Sequence, residues 1–301
     1  MPELATLRRG IYPPLPTFFD ENEELDLPAY RRHIRNLAQT GIAGYVVMGT
    51  NGEAVHLSRD ERFQVIEAAR EAAGAEAPLL VGCGEQSTRA TIENCRNAAQ
   101  AGANFVLVLP PFYFKGRMDD QALLAHYRAV ADASPRPLLI YNMPASTAGV
   151  DLSAGVICAL ATHPNIVGVK DSAGNIAKLA QIVDQSPADF AVFAGSAGYL
   201  LPALTIGAVG AVAALANVFP RQVCLLQQLF EQGQVDEARL LQGRLVPANT
   251  AVTATYSVPG LKAALEISAG YGGRPRSPLQ PLMEEERKKL VKILETFASC
   301  V

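Results

Sequence analysis

Eight short apolar runs, separated by helix-like segments, constrain this chain more than any other feature. They are residues 10–19 (GIYPPLPTFF), 44–49 (GYVVMG), 78–84 (PLLVGCG), 104–109 (NFVLVL), 137–142 (PLLIYN), 166–171 (IVGVKD), 190–195 (FAVFAG) and 210–215 (GAVAAL). Each is nearly all apolar rather than alternating, which is the pattern of a parallel strand buried on both faces. The segments between them carry helix signals. Ser58 opens SRDERFQVIEAAREAAG with Glu61 three residues on, a capping box, and Gly74 stops it. Ser87 or Thr88 opens the next helix and Gly102 ends it; DDQALLAHYRAVADASP stops at Ser134-Pro135; Asp151 opens DLSAGVICALATHPN, which breaks at His163-Pro164. Strands alternating with helices predict a parallel sheet, and eight such units with right-handed crossovers close most simply into a (β/α)8 TIM barrel. The alternative is an open doubly wound sheet, whose usual G-x-G-x-x-G after the first strand is missing here. The expected division is a barrel over residues 1–220, then the last barrel helix and a C-terminal helical extension over 221–301. The extension has helices near 220–232, 235–253, 258–269 and 283–298 and a turn-rich break at 275–281.

A chain of 301 residues, 49% of them hydrophobic, can fill such a barrel. Its net charge of −3 comes from well-mixed acids and bases, so no nucleic-acid or lipid-headgroup surface is indicated. Residues 197–219 carry no charge and are long enough to span a bilayer, but Pro202, Gly207, Gly210 and Asn217 interrupt them; two short elements and a turn are expected, not a membrane span. The opening MPELATLRRG has no apolar signal core and is too short for a transit peptide before the first strand, so a cytoplasmic location is expected. The five cysteines, Cys83, Cys95, Cys158, Cys224 and Cys300, form no C-x-x-C and read as reduced thiols.

In such barrels the chemistry sits where the strands end. Strand two ends on GTNGE, residues 49–53, whose glycines flank a hydroxyl and an amide; a turn of this kind exposes backbone N–H groups suited to a carboxylate or phosphate, although a plain tight turn has the same composition. Strand four leads to Tyr113, strand five ends on Tyr141 and Asn142, and strand six ends on Lys170, Asp171 and Ser172. Lys170 is the informative one, because lysine is among the residues least often buried unpaired. It could snorkel to solvent or pair with a carboxylate. A lysine that attacks a ketone must instead be neutral, and apolar walls such as Ile166, Val167 and Val169 disfavour an ammonium. An amine at a strand end, two tyrosines and an anion-binding turn form one kit for imine chemistry. His33, His56, His126 and His163 show no metal-ligand spacing, so no metal is expected; no nucleotide-phosphate or nucleophile-elbow motif is present, and no cup for pyridoxal phosphate is evident.

GTNGE, PPFYF, YNMP and GVKDS, in this order and at these strand ends, resemble the dihydrodipicolinate synthase and N-acetylneuraminate lyase superfamily of pyruvate-handling class I aldolases, and the resemblance covers nearly the whole chain. GRMDDQALLAHY, HPNIVGVKDSAGN, FAGSAGYLLPALTIGAVGAVAALANV and VPGLKAALE are most similar to the 4-hydroxy-2-oxoglutarate aldolase branch. The resemblance implies that Lys170 forms a Schiff base with a substrate ketone and that Tyr141 shuttles protons. Thr50 would orient Tyr141, with Thr50 and Asn51 holding the substrate carboxylate. Tyr113 would complete the relay, typically from a neighbouring subunit, and Ser172 would meet the far end of a 4-hydroxy-2-oxo diacid. Gly49, Gly195, Ser196 and Val212, at the ends of strands two, seven and eight, are further substrate-binding candidates. In the synthases an arginine usually lies five residues after the tyrosine of YN, to hold the second substrate; here that place is Ser146, which argues against condensation with aspartate semialdehyde. Tyr113 argues mildly against the sialic-acid lyase branch.

The expected activity is therefore a cofactor-free Schiff-base aldolase that cleaves a 4-hydroxy-2-oxo acid to pyruvate and an aldehyde. Its expected partners are a small 2-oxo acid and further copies of itself, as a dimer or a dimer of dimers, with neither nucleic acid nor membrane. Dihydrodipicolinate synthesis, a sugar-acid aldolase or dehydratase, and a catalytically silent small-acid sensor are the alternatives.

Overall fold

The structure, a computed structural model, describes residues 7–299; the readings made for residues 1–6 and for Cys300 lie outside them. Eight strands form one parallel sheet: β1 (Gly10–Tyr12), β2 (Tyr45–Val47), β3 (Leu79–Gly82), β4 (Phe105–Val108), β5 (Leu138–Asn142), β6 (Ile166–Asp171), β7 (Ala191–Ala194) and β8 (Gly210–Val212). Their spatial order is β1-β8-β7-β6-β5-β4-β3-β2. A parallel bridge between Pro14 and Val46 joins the two ends, with Leu15 N donating to the Val46 carbonyl at 2.8 Å, so the sheet curls into a barrel. The expected (β/α)8 architecture is the one observed, and the open sheet is not.

The strands are shorter than the apolar runs. β1 stops after Tyr12 because Pro13, Pro14 and Pro16 have no N–H to give to a ladder. β8 stops at Val212, where a 3-10 turn at Ala214–Asn217 begins.

The barrel helices are α1 (Leu27–Ala38), α2 (Arg59–Ala73), α3 (Thr88–Gln100), α4 (Asp120–Ala133), α5 (Ala154–Ala161), α6 (Ile176–Gln185), α7 (Leu200–Thr205) and α8 (Pro220–Glu231). The capping box of α2 is present, with Ser58 and Glu61 satisfying each other's backbone N–H, and Ser87 caps α3. One expected cap is corrected: α5 opens on Ser153, whose Oγ accepts from Val156 N at 3.2 Å, and not on Asp151. Leu152, wholly buried between them, is held by its N–H to Asn142, which leaves Asp151 free for a different network described below. The sequence reading does not name α1 and α6, although Asp26 and Asn175 cap them.

The uncharged stretch at 197–219 divides into α7, β8 and two 3-10 turns, and among the described residues no helix is long and apolar enough to cross a membrane. Beyond α8 lie α9 (Val235–Thr250), a π-helical turn at Ala251–Thr255, α10 (Ser257–Ala269) and α11 (Glu284–Ala298). α9 packs on α7, α8 and α11, while α10 reaches the turn at Thr50–Gly52.

Apolar side chains separate into two layers, as strands buried on both faces require. The barrel interior holds Tyr12, Val46, Leu80, Phe105, Leu107, Leu139, Tyr141, Phe193 and Val212. The outer layer, between strands and helices, includes Val47, Val81, Val106, Ile140 and Val169 and runs on beneath α9 and α10.

Candidate active site

Parallel register puts Tyr141, Lys170 and Phe193 side by side on β5, β6 and β7. Residues in register share a face. Tyr141 and Phe193 belong to the interior layer, so Lys170 points into the barrel as well. It is 3% exposed, and its Nζ lies 3.7 Å from the centroid of the Tyr141 ring. The contact places a cation on the electron-rich face of a phenol. Among the described residues Lys170 makes no ion pair, whereas other buried or half-buried lysines do. It does not snorkel out.

The Tyr141 hydroxyl meets Thr50 Oγ1 at 3.2 Å. Burial alone would push this phenol up. The charge of Lys170, with hydrogen bonds from Lys170, Thr50 and Ser172, outweighs burial and holds Tyr141 below the ordinary phenol value. The group is thus tuned toward giving up a proton beside an amine.

Thr50 and Asn51 stand on a single 3-10 turn, Thr50–Gly52, between two residues in the left-handed region, Met48 at φ 60° and Glu53 at φ 51°. Neither is glycine, so both conformations are strained. Gly49 sits at the turn's entry, buried. Gly52 gives its carbonyl to the Thr17 hydroxyl at 2.7 Å, which anchors the turn to the loop after β1.

One step beyond Tyr141 and Lys170, Asn142 and Asp171 are also in register, and they face the helices. Asn142 Nδ2 donates to Asp171 Oδ2 and to Asp151 Oδ1, each at 2.7 Å. Lys178, from α6, pairs with Asp151 and lies 3.3 Å from Asp171. Asp171, wholly buried, also accepts from Ala173 N at 3.0 Å. The carboxylate next to Lys170 in sequence is therefore committed to the opposite face. Nothing in the residue types alone announces this network; its signal is the matched polar pair directly after two matched interior residues.

A cavity of about 380 Å³ opens at the ends of β2 to β5. Gly49, Thr50, Tyr141 and Ser146 line it, with Gly82, Gly84 and Leu107 as floor and Val55 and Phe112 toward the outside. Lys170 does not line it directly; Tyr141 does, with the amine against its ring. Among the described lining residues Arg62 carries a positive charge, and that charge is met by Glu85 at 2.8 Å. Ser146 stands on the wall without charge, as the sequence indicates.

The remaining candidates are distributed unevenly. Asn51 is half-buried on the turn beside Thr50. Ser172 closes against Gly195: a Cβ at Gly195 would come within 1.9 Å of Ser172 Oγ, so only glycine fits there. Ser196 Oγ is occupied, accepting from Asn249 Nδ2 at 2.9 Å and from Gly198 N at 3.2 Å. Val212 is fully buried in the interior layer with Tyr141. Tyr113 is not brought to the site within one chain; it is 76% exposed, stacked edge-on with the exposed Phe114, and its backbone N–H is held by Gln86 at 2.8 Å. A buried ion pair behind the Thr50–Gly52 turn, Glu53 with Lys262 of α10, was not foreseen from the sequence. The signal available was a lysine inside the apolar run VPGLKAALE.

Known proteins resemble the chain over nearly its whole length. Residues 7–297 match the dihydrodipicolinate synthetase family. The chain is 45% identical over 285 residues to the probable mitochondrial 4-hydroxy-2-oxoglutarate aldolase of Emericella nidulans, covering 93% of this chain and 92% of that one. It is 41% identical to the L-threo-3-deoxy-hexylosonate aldolase of Hypocrea jecorina, covering 91% and 90%. Among solved structures, the prophage protein YagE of E. coli K12, of the dihydrodipicolinic acid synthase family and in complex with pyruvate, superposes with a TM-score of 0.90 at 28% identity, covering 97% of this chain and 99% of that one.

Proposed function

The chain belongs to the dihydrodipicolinate synthetase family, and from that premise we propose that it is a class I aldolase cleaving 4-hydroxy-2-oxoglutarate to pyruvate and glyoxylate. The observation that carries the reading is a buried amine with no carboxylate partner, 3.7 Å from a phenol ring whose hydroxyl is 3.2 Å from Thr50.

In this reading Thr50, Asn51 and the N–H groups of their turn hold the carboxylate beside the substrate ketone. Neutral Lys170 attacks C2, and loss of water gives an iminium. Tyr141 takes the C4 hydroxyl proton, the C3–C4 bond breaks, and its electrons move to the iminium nitrogen. Glyoxylate leaves. The enamine is protonated at C3, and water releases pyruvate and the free amine. Ser172, packed on Gly195, faces the distal end of the substrate, and Gly49, Ser196 and Val212 shape the surroundings. No cofactor takes part. Tyr113, stacked edge-on with the exposed Phe114, completes the proton relay of a neighbouring copy, in a dimer or a dimer of dimers. The proposed compartment is the cytoplasm; the Emericella nidulans relative is named mitochondrial, and cell fractionation separates the two.

A sugar-acid aldolase is the second reading. It is favoured by the uncharged wall at Ser146 and by the likeness to the Hypocrea jecorina enzyme. Pyruvate release from 4-hydroxy-2-oxoglutarate and from 3-deoxy-2-oxo sugar acids, run beside condensation of pyruvate with aspartate semialdehyde, decides. Fastest turnover of the diacid supports the first reading, of the sugar acids the second. Efficient turnover of the semialdehyde pair alone would overturn both.

A further inference from the structure

We propose that Lys262, on α10 of the C-terminal extension, is a positioning residue for substrate-carboxylate binding, acting through Glu53 on the Thr50–Gly52 turn. The inference rests on the Schiff-base reading above and extends it to a part of the chain far from the strand ends.

Glu53 stands where glycine would be at ease. Its φ of 51° ends the turn that presents Thr50 and Asn51, and it is only 2% exposed. A carboxylate in such a place is costly unless its oxygens are answered. Most of the answer comes from more than two hundred residues away. Lys262 Nζ lies 2.6 Å from Oε1, an ion-pair contact without hydrogen-bond alignment. Arg276 N donates to Oε2 at 2.9 Å, and His56 Nδ1 faces the same oxygen at 3.2 Å.

Lys262 is itself wholly buried. It donates to the Arg274 carbonyl at 2.8 Å and sits 4.4 Å from the Phe19 ring centroid. Burial pulls its amine down to about 8, with Glu53 opposing. The Arg276 guanidinium grips the far side of the same segment, bonding Glu61 at 2.6 and 3.0 Å and the His56 carbonyl at 2.9 Å. The extension thus holds both ends of the segment that follows Asn51. With the Lys262 charge gone, Oε1 of Glu53 is buried without a partner, and only the Arg276 N–H and His56 contacts to Oε2 hold its strained conformation. The turn relaxes, and the Thr50 hydroxyl and neighbouring N–H groups lose their aim.

The test uses full-length wild type, Lys262→Met, Glu53→Gln and the double variant. The pyruvate dependence of borohydride trapping at Lys170 is measured with KM, kcat and Tm. The half-saturating pyruvate concentration is expected to rise roughly tenfold in each single variant, the effect of one misaimed hydrogen bond, with the trapping plateau retained. The double variant should be less impaired than the product of the two, because it leaves no unpaired buried charge. Lower Tm with unchanged half-saturation in the folded variants would reduce the pair to a staple and overturn the inference. Should Lys262→Met not fold, Glu53→Gln and the double variant read the same quantity. Wild type that fails to trap pyruvate overturns the Schiff-base reading instead, so the two failures are distinct.

Discussion

Lys170 and Lys262 are 3% and 0% exposed, and their surroundings differ in one decisive respect. Lys262 ends 2.6 Å from a carboxylate and bonds a carbonyl, so its charge is accounted for. Lys170 ends on the face of Tyr141, while the adjacent Asp171 turns outward to Asn142 and Lys178. A buried ammonium with a counter-ion is a fastening. In the proposed reading, the buried amine that faces a phenol ring instead of a carboxylate is the one left available to react. Burial alone does not separate the two; the direction in which the nearest carboxylate faces does.

The sharpest break in this comparison is functional. Lys170→Ala should lose turnover by about 10⁴-fold or more, as removal of a covalent nucleophile does, with circular dichroism and Tm little changed. Tyr141→Phe should still form the imine with pyruvate but lower kcat by about 10²- to 10³-fold, the range for a lost general acid-base; stopped-flow trapping separates the steps, and full activity would remove Tyr141 from the shuttle.

The other lysine should fail differently. Lys262→Met breaks a buried pair, which costs about 3 kcal/mol and lowers Tm by roughly 6–12 °C by calorimetry. Its pH dependence carries a sign. Lys262 is held at about 8 in the fold against 10.5 when free. Between those values the unfolded chain binds the extra proton, so wild-type stability rises relative to Lys262→Met as pH climbs through that window, and the Tm gap widens. A gap that stays flat would deny the burial of this amine.

The smallest effect belongs to Thr50→Val. Loss of a hydrogen bond that lowers the Tyr141 phenol moves the rising limb of the kcat profile, where Tyr141 becomes the base, to higher pH. A rising limb that does not move would detach Thr50 from Tyr141.

The barrel and its chemistry were legible for a common reason. Parallel strands buried on both faces read as unbroken apolar runs, and where such runs end on Tyr141 and Lys170, polarity stands out. The turn after β2 was legible from its two glycines. What stayed hidden depends on pairing at long range. Glu53 and Lys262 are more than two hundred positions apart, and although the apolar run around Lys262 hints at burial, only the fold brings the two together. Asn142 and Asp171 meet only because β5 and β6 run in register past an irregularity between Leu138 and Leu139. Tyr113 marks a further limit, since its proposed place lies across a boundary between copies. Asp151 has the residue type of a helix cap, but with Leu152 wholly buried the cap falls on Ser153.

The most direct test is reductive trapping. Wild type is incubated with pyruvate and borohydride, and digested peptides are mapped by mass spectrometry. The account predicts a single carboxyethyl adduct, on Lys170, formed from 4-hydroxy-2-oxoglutarate as well as from pyruvate, and absent from Lys262. An adduct on Lys262 or elsewhere, or none on Lys170 at saturating pyruvate, would contradict it.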